Sequence, residues 1–246
     1  APKEDPDDKF TATVSGNGIT AMSGTITWDD GTANIAPNTL TPSGGGSSSS
    51  GGGGNSSSGC EQVGVIQGDP VSYAGETYPT VVIGSQTWFA KDLNYNASGS
   101  EYDWATAMAL PSSCNSGSSC SSQIQSKHKG VCPSGWHIPS NAEWTTLTDC
   151  VGGSSTAGTK LKATSGWQPS VYADDGSGTD DYGFSALPSS DGALSGAIGY
   201  WWSASDYEYL DGYDYAYIRA MSYLNASVTA GGGVKSSLRS VRCVQD

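Results

Sequence analysis

Apolar and polar residues alternate in short runs over much of the chain, which is typical of β-strands separated by turns. Near the N-terminus, FTATVSG, ITAMSG and TITW predict two or three short strands. Further along, VGVIQG, VSYAG and TYPTVVIGSQTWFAKDL predict more strands and hairpins, because glycine and proline separate the alternating runs. The pattern therefore predicts a protein built mainly of short strands and turns.

Two segments depart from this alternation and predict helices. Asp103 precedes WATAMAL and can cap a short helix that stops before the next proline. Directly after Pro139, SNAE forms a capping box, and Trp144, Leu147 and Val151 continue one apolar stripe. Beyond this second helix, the density of glycine and the alternating tyrosines favour short strands and long loops.

The composition changes along the chain and divides it into three parts. Residues 1–42 form an N-terminal β-strand arm that opens with a charged, proline-containing stretch. Residues 43–59, SGGGSSSSGGGGNSSSG, predict a flexible linker, and residues 60–246 form the main domain. Because an isolated hairpin is marginally stable in water, the arm must pack on the main domain or add to the sheet of a neighbouring subunit.

The amino-acid composition limits the size of the core and the choice of partners. The 246 residues include 34 Gly, 11 Pro and only 36% hydrophobic residues, so one medium domain with appendages is expected. The apolar content is rich in aromatic residues, with 8 Trp and 13 Tyr, which serve loop-rich cores and wet recognition surfaces alike. A net charge of −13 argues against nucleic acid and anionic membranes as partners, because both would be repelled.

Targeting and modification signals are few. No apolar run approaches the roughly 20 residues that cross a bilayer, so no membrane insertion is expected. No signal sequence precedes Ala1, which predicts a processed, secreted chain. Sequons occur at Asn55, Asn96 and Asn225, and we expect them to be mostly unmodified in a bacterium.

Six cysteines occur, at positions 60, 114, 120, 132, 150 and 243, without the C-x-x-C spacing of a zinc site. Disulfides are therefore expected, together with an oxidising extracellular or periplasmic setting. Cys114 and Cys120 enclose the short loop NSGSS, which predicts a local disulfide. Spacing alone leaves the pairing of the other four open.

Six motifs follow one another: TVVIGSQTWFAKDLNY, GVCPSGWHIPSNAEWTTL, GTKLKATSGW, GTDDYGFSALP, GYWWSAS and SVRCVQD. On these motifs, residues 78–246 resemble the Fibrobacter major paralogous domain family, a set of secreted bacterial surface proteins of largely unassigned function. The order of the motifs, with WHIPSNAEW and VRCV, is also similar to the formylglycine-generating and sulfatase-modifying group. That similarity implies an α+β, C-type-lectin-like fold with two short helices, a curled antiparallel sheet, long loops and disulfides. It also implies a Cys132–Cys243 pair, which leaves Cys60 to pair with Cys150.

The chain offers few groups for catalysis. His128 and His137 are its only unperturbed proton carriers near neutral pH. His137, inside GWHIP, is expected to be a hydrogen-bonded scaffold residue, and His128 a surface residue. No metalloprotease helix, nucleophile elbow or phosphate loop occurs, and the reactive cysteine pair of the formylglycine-generating relatives is reduced to Cys243. We expect no enzymatic activity, although acid pairs that could suit a glycosidase are plentiful.

The segment GYWWSASDYEYLDGYDYAYIRA concentrates aromatic and acidic residues, a combination that suits the apolar faces and hydroxyls of sugar rings. Because successive strand residues point to opposite faces, at least one of Trp201 and Trp202 is expected in the core. Tyr213, Tyr215 and Tyr217 share a face that is either core or surface. The predicted ligand-binding residues are Trp202, Asp206, Tyr207, Glu208, Tyr209, Asp211, Tyr213, Asp214 and Tyr215.

Calcium is a candidate ligand, because carboxylates suit it and many lectin-like domains hold sugars through it. The candidate ligands are Asp174, Asp175, Asp180 and Asp181 in ADDGSGTDDYG, and also Asp206 with Glu208. The calcium-type sugar motifs of true lectins are absent, however, and clustered acids also simply keep a surface soluble. No cofactor is therefore assigned.

Together these features predict a secreted, non-catalytic bacterial surface protein that binds carbohydrate or another cell-surface ligand through aromatic and acidic loops. The alternative is a structural subunit of an extracellular filament or surface layer. In that alternative residues 1–42 add a strand to the next subunit, and the linker raises their effective concentration.

Overall fold

The structure is a computed structural model. It describes residues 12–15, 18–28, 31–39, 60, 62, 64–94, 101–116, 120–169, 178–189, 195–207 and 214–246, the first three ranges by their backbone alone. The chain divides into two compact units, Ala1–Gly54 and Asn55–Asp246.

The N-terminal unit contains a three-stranded antiparallel sheet of order β1-β2-β3, made of β1 (Ala12–Ser15), β2 (Gly18–Trp28) and β3 (Gly31–Thr39). The break expected between ITAMSG and TITW is instead a register shift between Met22 and Gly24 within one long strand. Strand β3 was not predicted, because its proline and asparagines are poor strand formers. Residues 1–9 and the predicted linker 43–59 lie outside the described residues, so their roles stay predictions.

The second unit contains two five-stranded sheets. The first has the order β4-β5-β6-β13-β8 and is antiparallel throughout. Its strands are β4 (Ile66–Tyr73), β5 (Glu76–Ile83), β6 (Gln86–Phe89), β8 (Trp136–His137) and β13 (Val244–Gln245). The hairpins expected from the alternating residues before position 90 are confirmed.

The second sheet has the order β11-β10-β9-β12-β7, and only the pairing of β12 with β9 is parallel. Its strands are β7 (Glu101–Tyr102), β9 (Ile198–Tyr207), β10 (Tyr215–Ser222), β11 (Val228–Val234) and β12 (Arg239–Ser240). The expected α+β class, with few helices and mostly antiparallel sheets, is therefore confirmed.

The C-terminal motif SVRCV connects the two sheets. Ser240 lies beside Trp201 in the second sheet, and Val244 pairs with strands β6 and β8 of the first. Between them Arg242 is fully buried and forms an ion pair of 2.6 Å with Asp92. Asp92 Oδ1 also accepts a hydrogen bond from the indole nitrogen of Trp201 at 2.8 Å. One half-buried carboxylate thus links the motif to the tryptophan of GYWWSAS.

The described residues form three α-helices rather than the two expected from the resemblance. These are α1 (Trp104–Ala107), α2 (Asn141–Cys150) and α3 (Ala157–Leu161). The capping box of α2 is confirmed, since Ser140 and Glu143 bond each other's backbone N–H groups. Helix α1 is capped by Asp103 as predicted but ends sooner, because Ala109 has the left-handed φ of 54°. Helix α3 has no side-chain cap, so no local sequence signal predicts it. No described helix has the length and apolarity that a membrane crossing requires.

Two aromatic cores lie on opposite faces of β9. Trp201 and Trp202 are both fully buried, and each belongs to a different core. Trp202 packs in the cluster around Trp104, whereas Trp201 packs with Trp88 and Trp144, whose ring centroids are 4.9 Å apart. Period-two alternation thus places two adjacent tryptophans in separate cores.

Disulfides join Cys60 to Cys150, Cys114 to Cys120 and Cys132 to Cys243, the same three pairings that the sequence and the resemblance suggested. The first lies over the β5–β6 turn at Gly84. A Cβ at Gly84 would lie 2.5 Å from the Cys60 sulfur and 2.8 Å from that of Cys150, so only glycine fits there.

Candidate ligand-binding site

Three tyrosines cluster where β9 and β10 approach their ends. Tyr207 pairs with Tyr215 across the two strands, and Tyr217 follows two positions later on the same face of β10. The ring of Tyr207 meets that of Tyr217 edge to face at 4.8 Å and 80°, and that of Tyr215 at 6.5 Å and 63°. All three side chains are half-buried. We call these three residues the tyrosine face.

A glycine in strand β11 makes room for these rings. Gly232 pairs with Tyr217, and a Cβ at Gly232 would lie 2.6 Å from the ring of Tyr207. Real side chains essentially never approach so closely, so the sequence GGG of β11 lets the Tyr207 ring lie against the strand backbone. The tyrosine face is thus held by an interstrand contact that only glycine permits.

Arg219 is the next residue along β10 on the same face. It is only 3% exposed and donates hydrogen bonds to Asn141 Oδ1 at 2.8 Å, Asn141 O at 3.0 Å and Thr145 Oγ1 at 3.1 Å. Burial lowers the pKa of Arg219, and the nearby Tyr217 hydroxyl opposes that change. The guanidinium therefore links helix α2 to the sheet beside the tyrosine face.

A cleft of 480 Å³ lies between α2, the turn after it and the edge strand β11. Helix α2 and the turn contribute Thr145, Thr148, Asp149, Ser154 and Ser155, and the sheet side contributes Arg219, Ser227, Val228, Thr229 and Ala230. We call this the Arg219 cleft. Its walls carry many hydroxyl groups, one cation and one carboxylate, which suit a polar ligand of moderate size.

The structure corrects one of the predicted site residues and gives two others a structural task. Trp202 is fully buried and its indole nitrogen donates to the carbonyl of Tyr102 at 2.7 Å, so its assignment to ligand binding is wrong. Asp206 forms a 2.5 Å ion pair with Lys235, which is itself buried over an aromatic ring of the core. The carbonyl of Asp214 accepts the backbone N–H of Lys235 at 3.0 Å. These acids help to fix the loop end rather than line the cleft.

The rest of the predicted site lies outside the described residues: Glu208, Tyr209, Asp211 and Tyr213. The same holds for the calcium candidates Asp174 and Asp175. Asp180 is half-buried, and its two carboxylate oxygens accept bonds from the N–H and hydroxyl of Ser185. Across the part of the chain that the structure describes, no group of three or more acidic, histidine or cysteine side chains could hold a metal. Calcium binding stays a prediction.

His137 is a bonded core residue, as its motif indicated. The side chain is 1% exposed, with Nδ1 2.8 Å from Asp246 Oδ1 and Nε2 2.7 Å from Glu143 Oε1. Burial alone would lower the pKa of His137, but the bonds to Glu143 and Asp246 outweigh burial and raise it. His128 is half-buried, and its Nε2 lies 2.8 Å from the carbonyl of Met108.

The family model of the Fibrobacter succinogenes major domain matches residues 81–245. The chain belongs to this family. No curated protein and no solved structure matches it significantly. The matched region includes the tyrosine face and every residue of the Arg219 cleft. The candidate site is thus part of the Fibrobacter succinogenes major domain itself and not of the N-terminal unit.

Sequence reasoning missed Arg219 in this Fibrobacter succinogenes major domain, although one signal was present. Tyr215, Tyr217 and Arg219 follow one another at period two, so the arginine must share the face of the tyrosines. Its helical partner Asn141 is 78 residues away in the chain, and no local pattern announces that contact. The cleft is therefore visible only once the sheet and α2 have packed together.

Proposed function

We propose that this chain is a secreted, non-catalytic surface protein that binds carbohydrate through the tyrosine face and the Arg219 cleft. The observation that carries the proposal is their continuity: Tyr217 and Arg219 lie on one face of β10, opposite Gly232 and Ala230 of β11. Half-exposed aromatic rings suit the C–H faces of a sugar, and the adjoining hydroxyls and guanidinium suit its polar groups. A saccharide could contact both parts at once.

The scaffold supports a binding role over catalysis. Both ring nitrogens of His137 are held by carboxylates, and the ring is inaccessible. The three disulfides support an extracellular or cell-surface location. Two sheets, a capped helix and the Cys132–Cys243 link support a C-type-lectin-like fold for residues 60–246, akin to that of the formylglycine-generating group. On this proposal no cofactor takes part.

A glycan array and polysaccharide pull-down with the full chain test this function. Tyr217→Ala and Tyr207→Ala should each weaken binding about tenfold, because stacking on one aromatic ring is worth on the order of 1 kcal/mol or more. Tyr223→Ala is the matched control, since this half-buried tyrosine follows the opposite end of β10, and it should bind normally. Absence of binding to plant and bacterial glycans would reject the carbohydrate function.

A second candidate function is assembly into a filament or surface layer. The observation that favours it is the order β1-β2-β3 of the N-terminal sheet, which places β1 and β3 at its edges, where strands of another subunit can add. Deleting residues 1–42 should then abolish assembly while leaving glycan binding intact. Electron microscopy and light scattering measure the first, and the array measures the second. Unchanged particle size after the deletion would rule out strand addition.

A further inference from the structure

The charge of Arg219 is not matched by a carboxylate of the described residues. Its two Nη atoms donate to four oxygens, of Asn141 (two), Thr145 and Ile218, and all of these are neutral. Within the described residues no acidic side chain lies at ion-pair distance from the guanidinium. Both Nη groups therefore bond only neutral oxygens, and among the described residues no carboxylate pairs with this charge.

Of the three other buried cations among the described residues, Lys162, Lys235 and Arg242, the last two have a carboxylate partner. Lys235 is 2% exposed and pairs with Asp206, and Arg242 is fully buried and pairs with Asp92. Burying a cation without an opposite charge is costly, and proteins normally supply a partner. Arg219 differs from both in a second respect, because it lines an open cleft. Its missing partner can therefore come from outside the protein.

The surroundings of Arg219 identify the chemistry of that partner. The cleft walls supply hydroxyl donors, and those of Ser154, Ser155 and Thr229 are on exposed residues. Tyr217 lies two residues from Arg219 on the same face, about 6.6 Å along the strand. We propose that the Arg219 cleft binds the carboxylate of a uronic acid residue in a glycan whose sugar ring stacks on the tyrosine face. This proposal rests on the carbohydrate-binding function.

Other charges of the chain repel an anionic ligand, so binding of the acid depends on the contact with Arg219. Asp149 lines the same cleft, and the whole chain carries a net charge of −13. Long-range forces therefore repel an acidic glycan, and only the short-range contact with Arg219 attracts it. Salt screens the repulsion more than the buried contact, so binding of the acid should not weaken as ionic strength rises.

Calorimetry with trigalacturonic acid and its methyl ester tests the proposal on the full chain. The two probes share rings and hydroxyls and differ in charge. The acid should bind about tenfold more tightly than the ester, as expected for a charge-assisted contact, and Arg219→Gln should bring the acid-to-ester affinity ratio down to about one. Asp149 lies on the exposed side of α2, and Asp149→Asn should raise the acid-to-ester affinity ratio about two- to threefold.

Lys127→Gln is the control for net charge, since it removes one exposed cation elsewhere in the domain and should leave both affinities unchanged. The outcomes separate the two proposals. Equal affinity for acid and ester would overturn the uronic acid site and keep carbohydrate binding. Binding of neither probe, or binding of polyglutamate in their place, would overturn the uronic acid site, and the glycan array then decides on carbohydrate binding. If Arg219→Gln fails to fold, Asp149→Asn decides alone: an unchanged acid-to-ester ratio would reject the site.

Discussion

Strands β9 and β10 differ sharply between their two halves. Around Trp201 and Trp202 the sheet is covered on both faces, and the fully buried rings belong to two separate cores. Around Tyr207 and Tyr217 the rings are half-buried, and they rest on each other and on glycine. The same strand pair thus carries scaffold at one end and a candidate recognition surface at the other.

This difference separates the motifs that define the fold from the residues suited to bind a ligand. GYWWSAS and SVRCV meet in the buried half, where Asp92 links Trp201 to Arg242. The tyrosine face lies in the other half, whereas Arg219 pairs with Trp201 in the buried half. Apart from Arg219, a substitution in the first half should change stability, and one in the second half should change binding.

The largest expected effect is from Trp201→Ala in the buried half. Removing a fully buried indole that also donates to Asp92 should lower the free energy of unfolding by about 3–5 kcal/mol. Tyr217→Ala, in the other half, should cost about 1 kcal/mol or less, because the ring is only half-buried. Urea denaturation followed by tryptophan fluorescence measures both. Similar losses for the two variants would contradict the division into scaffold and site.

Adding one methyl group at neighbouring glycines of β11 tests whether the tyrosine face depends on the space that Gly232 leaves. A Cβ at Gly232 would collide with the ring of Tyr207 at 2.6 Å, whereas one at Gly231 would have no atom within 4 Å. Gly232→Ala should therefore displace the tyrosine face and weaken glycan binding about tenfold, at a stability cost of about 1–2 kcal/mol. Gly231→Ala is the control and should leave both unchanged. Array binding and urea midpoints distinguish the two variants.

Gly233 extends the same series into the core. Its Cβ would lie 2.7 Å from Ile218 and 3.2 Å from Trp202, both buried. Gly233→Ala should thus destabilise the fold by about 1–3 kcal/mol and leave ligand affinity of the folded fraction unchanged. Alanine at Gly231, Gly232 and Gly233 would then probe open space, the tyrosine face and the core, respectively. Loss of affinity without loss of stability in Gly233→Ala would contradict this assignment.

The features that the sequence alone could predict are those that depend on residues close together in the chain. The capping box at Ser140 and the alternation at Trp201 and Trp202 depend on residues within one element, so both were foreseeable. The Arg219 cleft was not, because its walls come from α2, the turn after it and β10–β11, more than 60 residues apart in sequence. Helix α3 was missed for a similar reason: its first turn is held by Ala226 O, which accepts from Gly158 N at 2.7 Å.

A cap variant has a smaller expected effect, again confined to the scaffold. Ser140→Ala removes the acceptor for the N–H of Glu143 at the start of α2 and should cost about 1 kcal/mol. Thr146→Ala is the matched control, since it removes an exposed hydroxyl from the same helix. Thermal unfolding compares the two. A loss of glycan affinity in Ser140→Ala at unchanged stability would show that this helix start belongs to the site.

The smallest expected effect is a pH dependence of stability that the candidate site does not share. The raised pKa of His137 means that its contribution is fully present below the unfolded value of 6.5 and is lost as pH rises through the folded value. For Glu143, burial would raise the pKa, but the bonds from His137 and Ser140 lower it, so its contribution is present above 4.5 and is lost as pH falls. Stability should therefore be highest between these two values.

His137→Gln tests this dependence. Its deficit in urea midpoint relative to the unmodified chain should be largest below pH 6.5 and should shrink as pH rises through the raised pKa of His137. His128→Gln is the control for loss of a histidine, since the Nε2 of His128 lies beside the carbonyl of Met108 rather than a carboxylate. Affinity for a neutral glycan should stay constant over the same range, because no histidine lies in the tyrosine face or the Arg219 cleft. A parallel change in affinity would show that the scaffold around His137 is coupled to ligand binding.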